Sequence, residues 1–158
     1  MNSANARQPR RGKSHFDSPK SKKTRSKLPD HPFEFGAILG DNELTLTLDL
    51  ETRGPNLSEP WRKRHKRHKK QERAIMFSMI PYRQIIKLPC TITCIRYASK
   101  ELDSHDSLPM SFKKIVDAVT AEITGDFRPG RADGNGGFTF CYDQKKNKSY
   151  AVQIIISW

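Results

Sequence analysis

Between residues 44 and 51 the chain reads Leu-Thr-Leu-Thr-Leu-Asp-Leu-Glu, with leucine at every second position. Successive side chains of a strand point to opposite faces, so this alternation puts Leu44, Leu46, Leu48 and Leu50 on one side. A helix would scatter the same leucines around its circumference. The segment therefore commits the chain to a sheet with one buried face, and such a face requires a second layer to cover it. Residues 108–123 supply a cover. Leu108, Phe112, Ile115, Val116, Val119 and Ile123 recur at spacings of three and four, the stripe of an amphipathic helix.

The remaining elements fall around these two. Gly54-Pro55-Asn56 ends the first strand. Ser58 is placed to cap a helix whose first turn tolerates Pro60, and Pro81 stops it after about Met79. Residues 88–97 are rich in β-branched side chains and read as a buried strand, with Cys90 and Cys94 beside Ile92 as small core residues. Gly125 closes the second helix, which is expected to return the chain towards the end of the sheet that carries Asp103 and Asp106, and residues 125–137 form a Gly-rich loop. Residues 138–142 and 150–158 read as a closing hairpin about Lys145-Lys146-Asn147-Lys148, with Tyr150, Val152, Ile154, Ile156 and Trp158 on one face. The order β-α-β-α-β-β defines an α/β fold, a compact sandwich with a mixed sheet of about four strands and two main helices.

Charge divides the chain further. The formal charge of +12 is unevenly spread. Residues 1–27 hold nine bases against Asp17, a net of +8, and residues 28–57 hold six acids against Arg53, a net of −5. Residues 58–73 hold eight bases against Glu59 and Glu72, a net of +6, and the rest sums to +3. The first block has one aromatic, Phe16, and too little apolar area to offset the entropy of ordering. It reads as a disordered tail, either a solubilising leader or a basic arm that tracks phosphates. The domain boundaries expected are thus a tail over 1–40 and a single α/β domain over 41–158.

The +6 block is the helix Trp61-Arg-Lys-Arg-His-Lys-Arg-His-Lys-Lys70. Bases this dense repel one another unless an anion lies alongside. A solvated charged face is the plain alternative; the density favours Arg62, Lys63, Arg64, Lys66, Arg67, Lys69 and Lys70 as contacts to a phosphate backbone. The same cations oppose a divalent metal at His65 and His68. Three cysteines without metal-site spacing read as reduced thiols, which excludes a disulfide scaffold. No apolar run approaches the ~18 residues of a membrane span, and no apolar core follows the N-terminal bases. A cytoplasmic protein with no membrane partner is expected.

Three carboxylates stand where chains place function. Asp103 and Asp106 lie between the second strand and second helix, and Asp133 lies in the Gly-rich loop. Mg²⁺ is held by one or two carboxylates, with phosphate and water completing its shell. Each acid also has an ordinary role: Asp106 or Ser107 as a helix cap, Asp133 as a turn residue, Asp103 as a surface charge. His105 is by default an exposed loop residue.

Residues 102–117, Leu-Asp-Ser-His-Asp-Ser-Leu-Pro-Met-Ser-Phe-Lys-Lys-Ile-Val-Asp, resemble the Leu-Asp-x-Asp-Asn-Leu…Lys…Asp signature of RusA-like Holliday-junction resolvases of phages and bacteria. The likeness continues through Gly130-Arg-Ala-Asp133, in Tyr142-Asp-Gln-Lys and Tyr150-Ala-Val-Gln-Ile-Ile, and upstream in Pro55-Asn56 and the basic helix. It spans roughly residues 44–158. The chain departs from the pattern in carrying Ser104-His105 between its aspartates, Ser107 in place of Asn, and a longer interval from Asp106 to Lys113. The resemblance implies a structure-selective endonuclease that cuts four-way DNA junctions as a homodimer, using Mg²⁺ (or Mn²⁺) and no small-molecule cofactor. By this likeness Asp103, Asp106 and Asp133 are the metal ligands and catalytic acids, with Lys113 assisting at the scissile phosphate. Two other readings predict nucleic-acid binding too: a binding module of the same fold that does not cut, and a basic ribosome-associated structural protein.

Overall fold

A computed structural model of the chain describes residues 33–128 and 136–158. The basic segment 1–27 and Asp133 lie outside them. Among the described residues the elements are β1 (Gly36–Leu39), β2 (Glu43–Leu48), α1 (Trp61–Met79), β3 (Cys90–Ala98), α2 (Ser107–Thr124), β4 (Phe138–Lys146) and β5 (Ala151–Ser157).

The strands form one mixed sheet in the order β1-β2-β5-β3-β4. β3 and β4 pair in parallel, and the other pairs are antiparallel. Since β2 and β3 both run against β5, β2, β3 and β4 share one direction. Their C-terminal ends therefore line one end of the sheet, and segments 49–60, 99–106 and 147–150 all leave from it.

Register decides what faces the helices. Leu44 and Leu46 sit opposite Ile156 and Ile154. Those two in turn sit opposite Ile92 and Cys94, which sit opposite Phe140 and Tyr142. This row is covered by Ile75 and Met79 of α1 and by Leu108, Phe112, Ile115 and Val119 of α2. The alternate positions, among them Thr45, Thr47, Thr91, Thr93 and Gln153, form the opposite face. The result is a two-layer α/β fold with both helices on one side. Cys90 and Cys94 are buried core residues, and burial pushes the Cys94 thiol up to about 12, with Cys141 adding to the rise.

Several expectations are corrected. The α/β class with a mixed sheet and two main helices is as expected, but the sheet has one strand more than the four or so expected, because residues 36–39, placed in the 1–40 tail, pair with β2. β4 and β5 are not a hairpin: β3 lies between them. The short link crosses the end of β3, where Asn147 N–H donates to Ala98 C=O at 3.0 Å. Ser58 does not cap α1. Pro60 takes the N-cap position with no side-chain cap bond, and its carbonyl accepts from Lys63 and Arg64. α2 ends as expected at Gly125, which takes a left-handed φ of 71° that suits glycine.

Phe112 is wholly buried and stacks on Tyr142 with ring centroids 5.8 Å apart. Phe112→Ala is expected to lower unfolding free energy by about 3–5 kcal/mol. Phe77→Ala, at a side chain 67% exposed on α1, is expected to change it by no more than about 0.5 kcal/mol. Urea-denaturation midpoints of the two variants test the difference.

Candidate nucleic-acid interface and acidic loop

The end of the sheet where β2, β3 and β4 finish is built from polar groups inside the helix-facing layer. Arg96 and Gln144 sit opposite each other there, in register with Val152. Buried Arg96 donates from Nε to Thr52 Oγ1 at 3.0 Å and from Nη1 to the Lys100 carbonyl at 2.6 Å. Gln144 grips the backbone of Leu102 twice: its Nε2 donates to the carbonyl at 2.7 Å, and its Oε1 accepts from the N–H at 2.9 Å. Gln71 of α1 donates to the Glu51 carbonyl at 2.8 Å. A Cβ added at Gly54 would lie 3.0 Å from Leu102 Cδ2, so the segment after β2 rests on the segment after β3.

Asp103 and Asp106 stand on that second segment, and both are exposed. Asp103 Oδ1 accepts from the N–H groups of His105 at 3.0 Å and Asp106 at 3.2 Å, and its carbonyl accepts from Leu108 N–H at 2.8 Å. Asp103 thus organises the turn into α2, while Asp106, at the N-cap position, makes no side-chain cap bond. Asp103 Oδ2 and the Asp106 carboxylate make no hydrogen bond or ion pair among the described residues. His105 is an exposed loop residue, as expected.

The structure does not bring the flanks of Asp133 to this place. β3 and β4 are parallel, so α2 carries the chain to the opposite end of the sheet. Its 18 residues span roughly 27 Å at 1.5 Å each. The described neighbours Arg128 and Gly136 follow that far end. The expectation that the second helix returns the chain to the end that carries Asp103 and Asp106 is therefore corrected. Among the described residues no group of three or more His, Cys, Asp or Glu is placed to hold a metal.

Lys113 lies seven residues beyond Asp106, two turns along the same helix face. Its Nζ is 3.5 Å from Asp117 Oδ1, and Lys114 Nζ is 3.8 Å from Asp117 Oδ2. Across from them, α1 has no acid in its first turn, so Arg62, Lys63 and Arg64 add to the positive end of the helix dipole. Arg62 lies 5.8 Å over the ring of exposed Trp61. Arg67 pairs with Glu59 at 2.6 Å and Lys70 with Asp49 at 3.1 Å. Lys63, Arg64, Lys66 and Lys69 make no ion pair among the described residues.

Two clefts border this surface. The outer, of about 910 Å³, runs along α1 past Lys63, Lys66, Lys69 and Lys70. The inner, of about 220 Å³, lies between α1, α2 and segment 53–59, and takes in Arg53, Arg64, Arg67, His68, Lys113 and Lys114. Sequence reading missed Arg53, Lys114, Arg96 and Gln144. A base within an otherwise apolar strand was the available signal for Arg96. Arg53 and Lys114 acquire meaning only when three separate segments meet.

The fold and site define a two-layer α/β protein with a cationic groove beside an acidic turn, at the C-terminal ends of three co-directional strands. No protein-family model matches the chain, and no curated protein matches it.

His68, half-buried in the inner cleft, is held below the ordinary histidine value by burial first and then by Arg67 and Lys114. Folding therefore favours the neutral ring. Its contribution to stability is whole above the unfolded value of about 6.5 and is lost as pH falls from there through the folded value. Urea midpoints of the wild type are expected to drop between pH 7.5 and 5.5, and His68→Gln is expected to remove that slope. An unchanged slope would refute the assignment.

Proposed function

We propose that the chain is a structure-selective endonuclease of the RusA-like kind, binding branched DNA across α1 and hydrolysing a phosphodiester beside Asp103 and Asp106. One observation supports this above others: the inner cationic cleft and the acidic turn share one end of the sheet and both adjoin the first turns of α2. The carboxylate oxygens at Asp103 and Asp106 are hard donors of the type Mg²⁺ or Mn²⁺ takes, and a metal held by one or two carboxylates takes substrate phosphate as a further ligand. Such an ion, when bound, polarises a phosphoryl oxygen and lowers the pKa of a bound water. The protein's own groups do the rest. Arg62, Lys63, Arg64, Lys66, Arg67, Lys69 and Lys70 hold the strand by its phosphates, which reads branch shape with few base contacts. Lys113 sets an ammonium on the same helix face as Asp106, towards the strand.

The family likeness implies a homodimer matching the two-fold symmetry of a four-way junction, and work in DNA recombination and repair in the cytoplasm; it also names Asp133 as a third acid, which lies outside the described residues and whose described flanks sit at the other end of the sheet. No helix among the described residues is long and apolar enough to cross a membrane.

A second reading, a module that binds DNA without cutting, is favoured by one detail: Asp103 Oδ1 already accepts two backbone N–H groups. A labelled four-way junction incubated with the protein and Mg²⁺ or Mn²⁺ separates the two. The first reading expects paired symmetric nicks, and Asp106→Asn is expected to reduce them by at least about 100-fold while leaving binding intact. Tight binding with no metal-dependent cutting would establish the second.

Salt dependence tests the α1 contacts separately. Lys66→Ala is expected to lower the slope of log K against log salt by about 0.9, the loss of one phosphate contact. An unaltered slope would take Lys66 off the interface.

A further inference from the structure

Among the described residues Glu59 is the one carboxylate lining the inner cleft. Its side chain is only 8% exposed, and its Oε2 accepts from Arg67 Nη2 at 2.6 Å. The Arg67 hydrogen bond holds the carboxyl below its usual range against the cost of burial, and the charges of Arg67, Arg53 and Arg64 add to this. Glu59 is therefore a carboxylate paired with Arg67 and within the field of Arg53 and Arg64, on a segment without helix or strand.

The match is incomplete from the arginine side. Arg67 Nε is buried and donates to no acceptor among the described residues. A guanidinium presents donors in a fork suited to two oxygens of a phosphate or carboxylate. Here the carboxylate meets one prong and leaves the other unmet. Arg64 makes no ion pair among the described residues, and Lys114 shares Asp117 with Lys113. The cleft thus holds more cationic donors than Glu59 can satisfy. Its volume of about 220 Å³ admits a tetrahedral anion beside Arg64 and Arg67.

We propose that Glu59 is an internal stand-in for phosphate: it occupies the inner cleft in the free protein, and a phosphate group of a bound strand displaces it onto Arg64, Arg67 and Lys114. The inference rests on the nucleic-acid reading above and deepens it. The cleft becomes a specific phosphate subsite next to the acidic turn, and Glu59 the group that keeps it closed to weaker anions. A strand enters only by outcompeting a carboxylate already in place.

The test compares the wild type with Glu59→Gln and Asp49→Asn in full-length protein. Both substitutions remove one acid that pairs with a base of α1, but Asp49 lies outside the inner cleft. Binding to a fluorescein-labelled junction is measured by anisotropy across a salt series. Glu59→Gln is expected to bind about tenfold more tightly, because the competitor for the same guanidinium donors is gone while the phosphate contact is made in both proteins. Asp49→Asn is expected to change affinity less than about twofold, as suits an exposed pair. Equal gains from the two variants would show general charge at work and overturn the proposal.

A second measurement follows the Arg67 Nε–Hε resonance during titration with inorganic phosphate. It is expected to move in the wild type, and at lower phosphate concentration in Glu59→Gln; indifference in both would also overturn the proposal. Oligonucleotides with 5′-phosphate and 5′-hydroxyl ends show which phosphate is used. Equal affinity assigns the subsite to the backbone diester, and a preference for the phosphorylated end assigns it to a terminal monoester. If the wild type ignores DNA while its Arg67 resonance still responds to phosphate, the nuclease reading fails and the cleft stands as a phosphate site.

Discussion

The buried guanidinium of Arg96 ties together the parts on which the rest depends. A cation inside the covered layer of a sheet is costly unless its donors are matched. Arg96 finds its acceptors at Thr52 and at the Lys100 carbonyl, and these belong to the two segments that leave β2 and β3. Satisfying one buried charge thereby fixes two loops against each other. Gln144 repeats the device from β4, holding both backbone groups of Leu102 one residue ahead of Asp103. The acidic turn and the wall of the inner cleft therefore stand on the ordered end of the sheet rather than on free loops. That is the condition for a site whose geometry is set before a ligand arrives.

The two halves of α1 serve opposite ends. Gln71, Ile75 and Met79 lie on one face and are buried, so the second half anchors the helix. The first half places like charges four apart, as at Arg62 and Lys66 or Lys63 and Arg67, and each such pair costs a few tenths of a kcal/mol. The first turn contains no acid to offset the dipole. Packing downstream sustains a charged upstream stretch that an isolated helix would not favour. Only two of its bases, Arg67 and Lys70, are neutralised in ion pairs among the described residues. The remaining positive surface is a standing free-energy deficit that a polyanion relieves.

Much of the fold was legible because its periodicities are strong. The leucines of β2 and the stripe of α2 each permit one kind of element, and both occur where they predict. β1 carries no such pattern: Ile38 is 70% exposed on an edge strand, and pairing alone makes it a strand. The false hairpin has a different cause. A link as short as 147–150 suits a turn between paired strands, but four residues also reach across one intervening strand at about 4.8 Å spacing. The signal against a hairpin lay in β5, whose Val152, Ile154, Ile155 and Ile156 make it apolar on both faces, as a central strand is. The acidic turn was visible as a motif. The groups that hold the segment leading into it were not, since Gln144 at Leu102 and Arg96 at Lys100 reach that segment only through the register of β3 and β4.

The separation of the acidic turn from the described flanks of Asp133 has a consequence for the proposed chemistry. With α2 between them, the Asp103–Asp106 turn and the described flanks of Asp133 lie at opposite ends of the sheet. The turn alone offers a hard cation few carboxylate oxygens, one of which, Asp103 Oδ1, is committed to backbone N–H groups. Mg²⁺ sites of this kind are completed by substrate phosphate and water. Under the proposed reading, metal and DNA then each supply part of the other's site, and linkage requires each to raise the affinity of the other by the same factor. In that reading the cationic clefts would bring phosphate to the turn, and the phosphate would complete a metal site there. Charge on α1 and carboxylates ahead of α2 are in this view two halves of one binding event, at the sheet end that the hydrogen bonds of Arg96 and Gln144 hold in order.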